Sequence, residues 1–182
     1  MKRLLSLLLI FLVGCAGPDP AMEAALDLRT RCLSAEGVTF TADIRADYIT
    51  QIEEFSLECQ GTADGTLSFR VLEPEEIADI RGTVRGAEGT VEFDGTVLAF
   101  PLMAEGRLSP LSGPWVVLKA IRSGCILAAG REGELLHLTI DDSYDDNALT
   151  VDIWLEDGRP EEAEIAWEGR RCFSMTFDDF SA

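Results

Sequence analysis

Lysine is nearly absent: Lys2 and Lys119 are the only two in 182 residues. With 15 basic side chains against 33 acidic ones, the formal net charge is -18. No polybasic patch can form, which argues against DNA or RNA as a partner, because phosphate recognition needs clustered Lys and Arg. The same shortage argues against adsorption of the folded body onto anionic lipid headgroups. Histidine occurs once, at His137, too few for a hydrolytic zinc centre. No G-x-S-x-G elbow, P-loop or G-x-G-x-x-G occurs. No apolar run reaches the roughly 20 residues that a membrane-spanning helix needs. Apolar residues nevertheless make up 47% of the chain, enough for a core and too many for wholesale disorder. At roughly 100 to 200 residues per domain, the length fits one domain.

The N-terminus carries an address. Lys2 and Arg3 precede Leu4 to Val13, an almost unbroken apolar run. Ten residues of helix span about 15 Å, half of a bilayer core of about 30 Å. The segment reads as a secretory signal over residues 1–14. Leu12-Val13-Gly14-Cys15 resembles the lipobox of bacterial lipoproteins. That resemblance implies a diacylglyceryl thioether on Cys15, cleavage before it and acylation of the new amino group, an anchor of two or three chains. Residues 15–21 then form the lipidated Cys and a Pro/Gly tether, and residues 22–182 the body. Ala16 after the Cys implies the outer membrane in a Gram-negative cell and the outer face of the plasma membrane in a Gram-positive one.

Four cysteines remain: Cys32, Cys59, Cys125 and Cys172. An even count in an exported chain suggests two disulfides. Cys59 shares the apolar parity of Phe55 and Leu57, and a helix carrying Cys32 packed on that face would bring the two together. Cys32–Cys59 is therefore favoured, with Cys125–Cys172 by default; four buried free thiols are the alternative. No C-x-x-C spacing favours zinc or redox chemistry.

Met22 to Leu33 has helix-forming composition, with Pro20 just before it, and Ala25, Leu28 and Cys32 fall along one face. After Gly37 the period changes to two: Val38, Phe40, Ala42, Ile44, Ala46 and Tyr48 alternate with polar residues, the pattern of a half-buried strand. A second strand carries Phe55, Leu57 and Cys59 inward. Ala63-Asp64-Gly65 marks a hairpin turn, and Leu67, Phe69 and Val71 alternate up to Pro74. Short runs follow at Ile77 to Val84, Thr90 to Phe93 and Thr96 to Phe100, the last two joined by Asp94-Gly95. Ser112-Gly113-Pro114 opens a helix, Trp115 to Ile121 is apolar almost all round, and Gly124 ends it. Such a helix must be buried on nearly all sides. Strands resume at about 126–129, 134–140, 149–156, 162–167 and 171–178. The total is about eleven short antiparallel strands and two helices, in meander order.

This organisation is similar to the LolA/LolB superfamily, which includes lipoprotein carriers and LppX-type lipid binders. Gly65-Thr66-Leu67-Ser68-Phe69, a strand ending at Pro74, Phe93-Asp94-Gly95 and Ser109-Pro110 follow in an order that the superfamily often shows. The Arg-Pro that carriers usually bear in the third strand is absent; Arg70 is followed by Val71. The resemblance implies a mainly β (α+β) fold: one curled antiparallel sheet forming an unclosed half-barrel, with helices over an apolar concave face that accepts acyl chains. The physics agrees, since many strands with one apolar face must curl or stack to bury it. By parity and helix position, the candidate lining is Phe40, Ile44, Phe69, Val117, Leu118 and Ile121.

The search for chemistry returns little. His137 lies on the parity opposite Leu136, Leu138 and Ile140 and reads as solvent-facing. Asp141-Asp142-Ser143-Tyr144-Asp145-Asp146-Asn147 has oxygen ligands that suit calcium, but its spacing is not that of an EF-hand, and it reads as a hairpin tip. The expectation is a non-enzymatic, lipid-anchored envelope protein without cofactor or metal. Its partners are the membrane, through the anchor, and an acyl chain or lipidated protein, through the half-barrel. The alternative is a structural or interaction lipoprotein with a plugged, ligand-free barrel and an acidic surface for a protein partner.

Overall fold

Asp19 opens the first helix: its side chain accepts a hydrogen bond from the Ala21 amide at 2.9 Å, and Pro20 fills the first helical position. The computed structural model describes residues 19–85, 88–93, 96–97, 103–106 and 108–182. The signal segment, Cys15 and the Asp94-Gly95 turn lie outside the described residues. Helix α1 spans Pro20–Ser34 and buries Ala21, Ala25, Leu28 and Cys32, the face that its sequence spacing predicts. The second helix, α2, spans Gly113–Ser123. Among the described residues, no helix is long and apolar enough to cross a membrane.

Among the described residues, eleven strands form one sheet: β1 Gly37–Asp47, β2 Ile52–Thr62, β3 Leu67–Glu73, β4 Arg81–Arg85, β5 Glu88–Phe93, β6 Thr96–Val97, β7 Cys125–Glu132, β8 Leu135–Asp141, β9 Thr150–Glu156, β10 Arg159–Trp167 and β11 Arg170–Ser181. Their order is β6-β5-β4-β3-β2-β1-β11-β10-β9-β8-β7. Every pairing is antiparallel, and among the described residues the edge strands β6 and β7 do not pair, so the sheet is unclosed. Strands β1 to β6 walk outward by hairpins. The segment carrying α2 crosses to the far edge, and β7 to β11 walk back until β11 meets β1.

The register sets the core. Phe55, Ile44, Met175, Ala163, Ile153 and Leu138 stand opposite one another across β2, β1, β11, β10, β9 and β8, and all are buried. Curvature follows from what α2 touches. Leu118 lies against Gly61 on β2, while Gly124, just past the helix, lies against Ile140 on β8. Those contacts are six residues apart, about 9 Å along a helix. The strands they reach are five places apart, about 24 Å in a flat sheet. The sheet must therefore wrap around the helix. Seven residues of α2 are buried, from Gly113 to Ile121, as its all-round apolarity predicts.

Two expectations need correction. The strand expected over Ile77 to Val84 begins only at Arg81; Glu75–Ile77 is a 3-10 turn, and Val71 holds the connection by accepting from Asp79 N and donating to Ile80 O. The disulfides are not formed either: all four cysteines are free. Cys125 starts β7 and Cys172 sits on β11, four places apart. That is about 19 Å along the sheet, against the roughly 7 Å that a bridge tolerates between Cα atoms. Cys32 and Cys59 do share one core, but as thiols, and burial pushes both upward in pKa.

At the β1–β2 turn, the Tyr48 hydroxyl is buried without a hydrogen-bond partner among the described residues. Burial, and then the charge of Glu53, push it up to about 12. A folded-state value above the ordinary 10 means a contribution to stability that is complete below pH 10 and lost as pH rises toward 12. Absorbance titration should resolve one tyrosine ionising near 12, and Tyr48→Phe should flatten the alkaline loss of stability. A second expectation concerns Gly124, where an added Cβ would stand 2.5 Å from Asp141 O and 2.8 Å from Ala120 O, both backbone atoms. Gly124→Ala should cost about 1–3 kcal/mol, lowering Tm by about 2–4 °C per kcal/mol. Gly130→Ala, with nothing within 4 Å of its added carbon, should leave Tm unchanged.

Candidate functional site

All six residues expected to line an apolar hollow lie in one continuous core. Phe40 and Phe69 are 4% exposed, Leu118 3%, and Ile44, Val117 and Ile121 2%. Phe40, Cys59 and Phe69 follow one another across β1, β2 and β3. Phe40 also packs edge-on against Phe177 and stacks on Phe180, each at 5.5 Å between ring centroids. The helix residues sit above this floor. Gly61 is the feature that lets them approach: a Cβ there would collide with the Leu118 side chain. Gly113 plays the same part at the start of α2, where a Cβ would stand 3.0 Å from the Phe173 ring. The six residues thus form part of a packed core in which α2 lies against the sheet.

Polar contacts fasten α2 around its rim. The Trp115 indole N–H donates to Gly65 O at 2.9 Å, in the β2–β3 turn. Lys119 Nζ lies 2.8 Å from Asp142 Oδ2, beyond β8, and 5.6 Å from the Trp115 ring centroid. Asp142 Oδ1 accepts from the Leu149 amide at 2.8 Å, so this carboxylate of the acidic run shapes a loop and holds a lysine.

The strongest fastening is a reciprocal pair of arginines. Arg29 of α1 donates to the last carbonyls around α2, from Nε to Ile121 O at 2.7 Å and from Nη2 to Gly124 O at 2.8 Å. Arg122 of α2 donates from Nε to Cys32 O of α1 at 3.1 Å and from Nη1 to Thr62 O of β2 at 2.8 Å. Each helix thus supplies the cation that neutralises the partial negative charge at the other's C-terminus. Arg31 donates to Gly158 O in the β9–β10 turn. Burial raises the Cys32 thiol, while Arg122 and Arg31 act against that rise. Among the described residues, none of these three arginines has a carboxylate partner.

The sequence reading missed these arginines. A basic residue in the last helical turn is visible for Arg31 and Arg122, but their acceptors are chosen by tertiary packing. Gly61, inside a strand, was the one local signal of a close approach.

The outer face has a different character. A groove of about 650 Å³ crosses the solvent side of β2, β1, β11 and β10, lined by Asp43, Glu54, Glu73, Glu162, Glu164 and Arg45 among others. Further along, His137 stacks on Trp154 at 4.6 Å and lies with Nε2 2.9 Å from Asp152 Oδ1, on the outward parity that its sequence predicts. Thr139 donates its hydroxyl to Asp152 at 2.7 Å, not to the imidazole. Asp152 thus gathers His137 and Thr139 on the outer face of the sheet.

The reciprocal arginines lead to a direct expectation. Arg29→Met or Arg122→Met alone should cost about 1–3 kcal/mol, because each strands buried carbonyls. The double variant should lose at least about 0.5 kcal/mol less than the sum, because both act on one helix pair. Chemical denaturation of the four proteins measures this coupling.

No family model matches the chain, and no curated protein matches it. It is similar to several solved structures. A LolA superfamily protein from Nitrosomonas europaea shares 10% identity over 88% of this chain and 92% of that one, with a TM-score of 0.47. A lipoprotein-sorting protein domain from Vibrio parahaemolyticus shares 9% over 88% and 91%, with a TM-score of 0.46. The Mycobacterium tuberculosis lipoprotein LppX shares 14% over 89% and 96%, with a TM-score of 0.39. Likenesses of this size assign no function.

Proposed function

We propose that the chain is a lipid-anchored envelope protein, tethered through Cys15, that takes an acyl chain between the curled sheet and α2. The observation that supports this reading is the continuous buried apolar row across the sheet, Phe55, Ile44, Met175, Ala163, Ile153 and Leu138, which the start of α2 meets where Gly113 stands against Met175. It crosses six strands, about 24 Å, longer than the roughly 15 Å depth of one leaflet's hydrocarbon. Displacing α2 would uncover the part of the row around Met175. A dozen methylenes at about 0.8 kcal/mol each give roughly 10 kcal/mol gross. That is comparable to the net value of six rim hydrogen bonds at about 1 kcal/mol each. The seven buried residues of α2 also lose their apolar contacts when it moves, so the ligand's chain must fill the space that they leave as well as offset the rim bonds.

The second reading is a permanently plugged barrel that meets a cationic protein through its outer face. It is favoured by the burial of all six lining candidates and by the acidic groove.

A reversible lock separates the two. Gly61→Cys with Leu118→Cys places two thiols where helix and sheet touch. Under the acyl-chain reading, the reduced protein should take up a fluorescent fatty acid, the oxidised protein should not, and dithiothreitol should restore uptake. Equal uptake in both states removes α2 as the gate, and no uptake in either favours the plugged barrel. In the host cell, Cys15→Ser should abolish labelled-palmitate incorporation and release the chain from the membrane fraction.

A further inference from the structure

The guanidinium of Arg122 is not fully used. Its Nε and Nη1 bond Cys32 O and Thr62 O, while Nη2 is buried without a partner among the described residues. A buried, unsatisfied donor on a charged group is costly and calls for an explanation. The charge around it is also unbalanced. Two helix C-termini supply about -0.5 each, and Arg29 and Arg122 supply +1 each, leaving an excess of roughly one positive charge. In a chain with 33 acids and 15 bases, these guanidinia meet backbone carbonyls in place of carboxylates. The location matters as well. Leu118, one helical turn before Arg122, rests on Gly61, and Thr62, which accepts from Arg122, is the next residue. The cation thus stands at the end of the apolar hollow.

We infer that the ligand is an amphiphile with an anionic headgroup, its carboxylate or phosphate oxygen received by Arg122 Nη2 and its tail lying over Gly61 and beneath Leu118. This rests on the acyl-chain reading above and adds the class of headgroup. When α2 lifts, Arg122 leaves both carbonyls, and its donors turn toward the ligand. A planar guanidinium can hold a carboxylate or phosphate through two parallel bonds. The cations that close the empty site would then hold the filled one.

The test uses the full chain bearing Cys15→Ser and calorimetric titration with monomeric dodecanoate, dodecyl phosphate, dodecanol, dodecyltrimethylammonium and inorganic phosphate. The two anionic amphiphiles should bind at least tenfold more tightly than dodecanol, the cationic one should bind no better than dodecanol, and inorganic phosphate should give no measurable heat. Arg122→Gln should bring dodecanoate to within about twofold of dodecanol, and Arg122→Lys should retain part of the preference. If dodecanol matches dodecanoate in the unmodified site, the headgroup assignment is overturned and the acyl-chain reading stands. If no amphiphile binds, the acyl-chain reading itself falls. If inorganic phosphate binds as tightly as dodecyl phosphate, the site is one for free anions and the amphiphile is overturned. The ligand series decides the matter on the unmodified site even if an Arg122 variant fails to fold.

Discussion

An antiparallel sheet with one apolar face has to hide that face, and here it does so by wrapping around a single rod. Leu118 and Gly124 reach β2 and β8, so one short helix bridges the curl across the six strands from β2 to β8. Glycine at Gly61, Gly113 and Gly124 brings backbone and side chain into contact where any larger residue would hold the helix off. Remove the helix and the floor has nothing to close on; remove the curl and a helix buried on nearly every side would stand in water.

The two helices are joined by charge at the ends where they most need it. Both C-termini converge, and each is neutralised by an arginine from the other. This crossed arrangement makes helix and cover a single unit. Neither helix can shift without stranding carbonyls of the other, so displacement of α2 is felt at α1.

The sequence made the layers legible and left their fastenings hidden. Alternation along β1 marked Phe40, Ala42 and Ile44 as inward because a strand's side-chain period is exact and local. The apolar run in α2 announced burial before any partner was known. Strand order was less accessible. The expected meander is real within each half, but nothing local reveals that β7 goes to the far edge, so nothing local could show that three strands separate Cys125 from Cys172, a pair reached only by default. Arg29 and Arg122 were passed over because an arginine near a helix end satisfies dipole compensation in solvent equally well. Their value comes from meeting each other's helix, which only tertiary structure creates.

The seam between β1 and β11 ties together distant parts of the chain: Ala46 pairs with Phe173, and Thr41 with Asp178. Each half on its own is a run of short hairpins that can assemble quickly, whereas joining them must wait for a closure of high contact order. Until that closure, both halves show an unpaired edge and a greasy face to their surroundings. Such a chain is most exposed to wrong pairings in the interval before the seam is drawn shut.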